Sequence, residues 1–180
     1  MPSNSDSINP KMFMTLAIET MLSSILEDRS DKSSPLVGAV LVMPNGKVEK
    51  AYRGEFSEGD HAEYTLLERK LASEDLTGST LFVTLEPCAP GARSVHKTCC
   101  SERIVNRRIA KVFVGIEDPD LDVDGKGLKY LLAHGVSVEL FDRDFQKESE
   151  PDPVRLMRLL YNHAIATFFM SRCRDLISLL

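Results

Sequence analysis

The chain has 180 residues, 43% hydrophobic and 27% charged, a size and balance that fit one compact globular domain with a single core. Its formal charge of -5 and pI near 5.4 disfavour a protein that holds duplex nucleic acid through its overall field, because that mode needs a net excess of Lys and Arg to neutralise phosphates. Small-molecule substrates suit this balance better.

Met1 to Pro10 is rich in Ser, Asn and Pro and has no apolar core, so residues 1–10 are predicted to be a disordered lead-in. From Lys11 to Asp28, Phe13, Leu16, Ala17, Met21, Leu22 and Ile25 recur at steps of three and four, the stripe of an amphipathic helix. Leu36 to Val42 is short, apolar and bounded by Pro44-Asn45-Gly46, which predicts a buried strand and a hairpin into Lys47 to Arg53. A second helix is expected from about His61 to Ser73, with Ala62, Leu66, Leu67 and Leu71 on one side, followed by a buried strand over Leu81 to Leu85.

A third helix follows Cys100, a strand covers Lys111 to Ile116, Gly125 to His134 is helical, and Val136 to Phe141 is a last strand. This alternation predicts an α/β fold whose later strands are parallel and covered by helices on both faces. Residues 142–150 are charged, and a further helical pattern runs from Val154 to about Leu180 with Leu156, Leu159, Leu160, Ile165, Phe168 and Phe169 on one side. Residues 142–180 therefore read as a charged linker and a C-terminal helical appendage, whose apolar side calls for cover from the domain or from a second copy in a homo-oligomer, a dimer being the simplest. Arg158, Asn162 and His163 interrupt this stretch, so no membrane span is expected.

The cysteines are Cys88, Cys99, Cys100 and Cys173. The adjacent pair fits a disulfide framework poorly and no signal peptide is visible, which together predict a reducing, cytoplasmic setting. Cys173 reads as a small buried hydrophobe. His61-Ala62-Glu63 opens the second helix, Pro87-Cys88 follows the Leu81 to Leu85 strand, and Cys99-Cys100 opens the third helix. A hydrolytic zinc needs three protein ligands and one open position for water. One His and two Cys meet that count, and zinc lowers the pKa of its bound water to about 7. Glu63, two residues from His61 on the first helical turn, is placed to carry the proton. His-Ala-Glu alone is a weak pattern; joined to Pro-Cys and a second cysteine at a helix start it matches the zinc-deaminase signature. The residues alone leave Cys99 and Cys100 open as the third ligand.

On these motifs the chain resembles the cytidine deaminase superfamily. Thr84-Leu85-Glu86-Pro87-Cys88, the widened loop before Cys99-Cys100, Glu117-Asp118-Pro119 and Gly125-Lys126-Gly127 look most like the deaminase domain of riboflavin biosynthesis, over roughly residues 11–141. The resemblance implies a three-layer α/β/α sandwich around a central five-stranded mixed sheet, with Zn2+ between two helix N-termini. It implies Cys100 as the third ligand, because Ile109 stands nine residues on, where related deaminases approach the next strand. It further implies a substrate-binding role for Arg93 and Ser94, within a Gly-Ala-Arg-Ser stretch like the family's phosphate-approaching Gly-Arg-Thr, and for Asp118 and Lys126. Pro90 and Gly91 stand where that family has histidines, and Ser34 where it has asparagine.

Lys97 joins the candidates as another cation in the Ala89 to Thr98 loop, suited to an anionic group. Arg93, Lys97, Arg103, Arg107, Arg108 and Lys111 face only Glu102 in charge, so a second reading is a nucleic-acid base deaminase that uses this segment as a single-strand contact. A third is a zinc-stabilised assembly module in which catalysis has lapsed. The first reading is hydrolytic deamination of an aminopyrimidine base, nucleoside or nucleotide.

Overall fold

A computed structural model describes residues 8–27, 34–91, 98–118 and 125–141, so the expected appendage, most of the lead-in and the cations of the 92–97 loop lie outside the described residues. In chain order the elements are α1 (Pro10–Met21), β1 (Gly38–Val42), β2 (Val48–Tyr52), α2 (Ala62–Tyr64, continuing through one π-helical stretch, Thr65–Lys70), β3 (Thr80–Leu85), α3 (Cys100–Asn106), β4 (Lys111–Ile116), α4 (Lys126–Ala133) and β5 (Ser137–Leu140). The strands form one five-stranded sheet in the order β2-β1-β3-β4-β5. β1 runs antiparallel to both β2 and β3, whereas β3, β4 and β5 are parallel, which is the mixed sheet expected.

Alternation of side chains assigns the two faces of the sheet. Gly38 faces α1 at backbone contact: a Cβ there would lie 2.1 Å from the Ala17 carbonyl oxygen, so glycine is required for the helix to seat on the strand. Val40, two residues on, is opposite Phe82, and Phe82 is opposite Phe113. Phe82 and Phe113 stack at 4.8 Å, and Phe13 of α1 reaches Phe82 at 5.4 Å. The other face, with Leu41, Leu81, Val83, Val112 and Val114, lies toward α2, α3 and α4, which touch one another in sequence. Each such side chain withdrawn from water contributes about 1.5–3 kcal/mol.

Most boundaries fall within two residues of expectation, and three in the first two helices have a readable physical cause. α1 begins at Pro10, inside the expected lead-in, because the Asn9 side chain accepts the Met12 N–H at 3.3 Å and proline at the first helical position has no N–H to satisfy. It also ends at Met21 rather than Asp28. The Ser24 hydroxyl donates to the Met21 carbonyl at 2.7 Å and accepts the Val37 N–H at 3.1 Å, while Ile25 N donates to the Arg53 carbonyl. Leu22 and Ile25, expected on the buried stripe, are exposed. The second helix stops at Lys70, short of Ser73, and its later turn is widened, with Leu71 N donating to the Leu66 carbonyl five residues back. Among the described residues no helix is long and apolar enough to cross a membrane.

Candidate metal centre

Three loops deliver the centre to the carboxyl ends of the parallel strands β3 and β4, the end at which open α/β sheets bind ligands. His61 precedes the first turn of α2 with extended backbone, and its ring makes no capping bond to its own helix. The imidazole turns instead to two thiols: Nδ1 lies 3.8 Å from Cys88 Sγ and 3.3 Å from Cys100 Sγ. Cys88 follows β3, and Cys100 is the first residue of α3. The backbone closes the arrangement, since Cys100 N donates to Cys88 Sγ and Ser101 N donates to the Cys88 carbonyl, both at 3.2 Å.

The ligand atoms of His61, Cys88 and Cys100 all lie within 4.8 Å of one another. A tetrahedral zinc with bonds of about 2.3 Å to sulfur and about 2.0–2.1 Å to nitrogen holds such atoms about 3.6 Å apart, and the imidazole–thiol separations of 3.3 and 3.8 Å bracket that spacing. Hydrogen bonding from the Cys100 thiol, reinforced by the His61 ring, draws the Cys88 thiol down to about 4 against the opposing effect of burial. A sulfur that favours the thiolate is the form a metal needs. A zinc held by these three side chains would keep a fourth position for water or substrate.

Glu63, on the first turn of α2, is buried. Burial pushes its carboxyl above the usual range, with the charge of His61 pulling part of the way back. A carboxyl shifted upward in this way holds its proton more readily than an exposed one, which suits a group that must both accept and return a proton.

Cys99 does different work from its neighbour. Its sulfur caps α3 by accepting the Glu102 N–H at 3.5 Å, and the Glu102 carboxylate accepts the Cys99 N–H at 2.9 Å, a reciprocal capping box. Burial pushes the Cys99 thiol up, which favours the neutral form. The two adjacent thiols are thus separated, Cys100 turned to His61 and Cys99 to its own helix. Cys88, Cys99 and Cys100 are all free of disulfides.

Of the expected substrate-binding residues, Asp118 stands two residues beyond β4 and donates its N–H to Glu86 Oε2 at 3.3 Å, and Lys126 is the exposed first residue of α4. Arg93, Ser94 and Lys97 lie outside the described residues. Glu86 itself carried no role in the sequence reading, yet its buried carboxylate binds four backbone N–H groups from segments that begin 32 residues later. An acidic residue inside an otherwise apolar run ending at Pro87-Cys88 was the available clue.

Three cations of the basic segment are engaged within the domain. Arg103 stacks on Tyr64 at 4.7 Å and pairs with Glu68 at 3.5 Å. Arg107 donates to the carbonyls of Leu71, Ala72 and Glu74 where the second helix ends, and Lys111 pairs with Glu139.

One imidazole, two thiols and a buried carboxyl at the carboxyl end of an α/β sheet are the parts of a hydrolytic zinc centre. The model of the cytidine and deoxycytidylate deaminase zinc-binding region matches residues 8–116. The diaminohydroxyphosphoribosylamino-pyrimidine deaminase of Buchnera aphidicola is 33% identical over 139 residues, which cover 76% of this chain and 88% of that protein. A riboflavin biosynthesis protein of Actinobacillus pleuropneumoniae is 39% identical over 105 residues, covering 58% of this chain and 26% of that one. Among solved structures, the bifunctional diaminohydroxyphosphoribosylaminopyrimidine deaminase/reductase of Thermotoga maritima aligns with a TM-score of 0.66 at 27% identity, covering 87% of this chain and 40% of that one. The chain belongs to the zinc-dependent cytidine and deoxycytidylate deaminase family, on the side of the riboflavin-biosynthesis deaminases. It spans only about a quarter of the length of the riboflavin biosynthesis proteins it matches.

Proposed function

We propose that the chain hydrolytically deaminates an aminopyrimidine nucleotide, with diaminohydroxyphosphoribosylaminopyrimidine, the compound in the name of the Buchnera relative, as the first candidate. The observation that carries this reading is the convergence of His61, Cys88 and Cys100 within 4.8 Å, joined by the buried carboxyl of Glu63 on the same helical turn as His61. In this reading the three side chains hold Zn2+. Bound there, zinc supplies a Lewis acid that makes water nucleophilic near neutral pH. Glu63 accepts a proton from that water and delivers it to the ring nitrogen beside the amine-bearing carbon. The water oxygen bonds to that carbon, Glu63 takes the remaining hydroxyl proton and passes it to the amine, and the carbon–nitrogen bond breaks as the carbonyl forms, releasing ammonia. One water is consumed, one ammonia leaves, and no redox change occurs.

Asp118 and Lys126 bind substrate in this scheme, Lys126 as the cation for an anionic group, and Arg93, Ser94 and Lys97 join them from the loop before Cys99. The nucleic-acid alternative loses support because the charged ends of Arg103, Arg107 and Lys111 each meet partners within the domain. The free thiols suit a reducing, cytoplasmic setting. Self-association as a dimer is supported by the apolar stripe Leu156, Leu159, Leu160, Ile165, Phe168 and Phe169. A chain ending at Phe141 should then lose it, read as mass in solution; unchanged mass rejects that assignment. The function is tested by ammonia release from free bases, nucleosides, nucleotides and short oligonucleotides. Release from the phosphoribosyl aminopyrimidine, abolished by a chelator, is expected; release only from oligonucleotides, or release that survives Glu63→Ala, refutes it.

A further inference from the structure

Glu86 stands between the end of β3 and Pro87-Cys88, and it is 3% exposed. A carboxyl at that depth requires partners. Oε2 accepts the N–H groups of Asp118 at 3.3 Å and Gly125 at 3.0 Å, and Oε1 accepts those of Gly127 at 2.9 Å and Leu128 at 3.3 Å. Three of these four donors open α4, where amides lack an intrahelical acceptor and negative charge is favoured. Gly127 completes the contact: a Cβ there would lie 1.9 Å from the Pro87 carbonyl oxygen, so only glycine lets α4 seat against Glu86-Pro87.

Cys88 is held by other bonds. Its carbonyl accepts the Ser101 N–H, its sulfur accepts the Cys100 N–H, and the Glu86 N–H extends the sheet to the Ile116 carbonyl at 2.9 Å. None of these passes through the Glu86 carboxylate. Loss of that carboxylate therefore releases Asp118 and the start of α4 while Cys88 stays attached to α3 and β4.

We propose that Glu86 is a positioning residue that clamps Asp118 and the first turn of α4, with Lys126, against the metal-bearing end of β3, and so sets the reach of these two side chains to the substrate. The proposal rests on the deaminase reading above and deepens it, by separating a clamp for the substrate side from the bonds that hold the metal side.

Glu86→Gln keeps the shape but turns one oxygen into an NH2 group, leaving two N–H donors facing a donor; Glu86→Asp keeps the charge at shorter reach. Kinetics of ammonia release from diaminohydroxyphosphoribosylaminopyrimidine, with zinc per chain and the visible spectrum of the cobalt-substituted protein, read the outcome. Glu86→Gln should raise KM at least tenfold with kcat changed less than threefold, one metal per chain and an unchanged cobalt spectrum, and Glu86→Asp should recover part of the KM. In the unaltered chain the Asp118, Gly125, Gly127 and Leu128 amides should be among the slowest to exchange with deuterium outside the strands, which tests the clamp even if the variants fail to fold. Rapid exchange at those amides, a KM within twofold of the original, or loss of the metal from folded Glu86→Gln overturns the proposal. An unaltered chain that binds no zinc and releases no ammonia overturns the deaminase reading and this inference with it, whereas an active chain with a kinetically silent Glu86→Gln overturns this inference alone.

Discussion

Replacing Cys99 by alanine separates the duties of two adjacent thiols. Its sulfur lies at the start of α3, taking the Glu102 N–H, while the Glu102 carboxylate takes the Cys99 N–H. Alanine removes the first bond and leaves the second, so the cost is that of one N-cap, about 1 kcal/mol. For a chain of this length 1 kcal/mol lowers Tm by about 2–4 °C. Serine, a better capping residue, should restore most of the loss, because its oxygen can take the same N–H and lies beside Ser101 Oγ, which the sulfur meets at 3.2 Å. Zinc content should stay at one per chain in both variants. Cys100→Ala should behave in the opposite way, losing the metal, since the Cys100 sulfur is the one 3.3 Å from the His61 ring. Differential scanning calorimetry with metal analysis of the same samples reads both quantities. Cys99→Ala without zinc, or Cys100→Ala with full zinc, would refute the assignment of the two sulfurs.

Glu63→Gln should leave zinc bound and reduce kcat by at least about 10²-fold, the low end for a positioned acid–base group; activity within tenfold would mean another group moves the proton. Gly38→Ala should destabilise the fold by about 1–3 kcal/mol or more, because its Cβ would meet the Ala17 carbonyl at 2.1 Å; an unchanged denaturation midpoint contradicts the packing described for α1. Arg107→Ala should lower Tm, by loss of its bonds to the carbonyls of Ala72 and Glu74 among others, without changing retention on single-stranded DNA; weakened retention with unchanged Tm would favour a nucleic-acid role.

Most of the sheet was legible because its strands are short apolar runs bounded by turn residues: Lys111 to Ile116 is β4 residue for residue, and Leu81 to Leu85 misses only Thr80 of β3. The helix boundaries were less so. Leu22 and Ile25 continue the three-and-four spacing of α1, and only the tertiary bonds of Ser24 to Val37 and of Ile25 to Arg53 show that the chain has already turned. The widened turn over Thr65–Lys70 is too short to shift the apolar period visibly. At the site, His61, Glu63, Cys88 and Cys100 were readable as a motif, and the structure brings the three ligand candidates together. The distinct part played by Cys99 was encoded in Cys99-Cys100-Ser101-Glu102 less openly, since Glu102 three residues after a cap is a capping box with cysteine in the place of serine. Glu86 was hidden for a different reason: its partners are backbone amides, which have no residue identity to read.

X-ray absorption at the zinc edge of the purified chain tests the centre most directly. One zinc per chain, with two sulfurs at about 2.3 Å, one imidazole nitrogen and one further light atom at about 2.0–2.1 Å, is the predicted shell, and it should lose one sulfur in Cys100→Ser and none in Cys99→Ser. A shell of three sulfurs, or one unchanged by Cys100→Ser, would contradict the three-ligand centre with an open position beside Glu63.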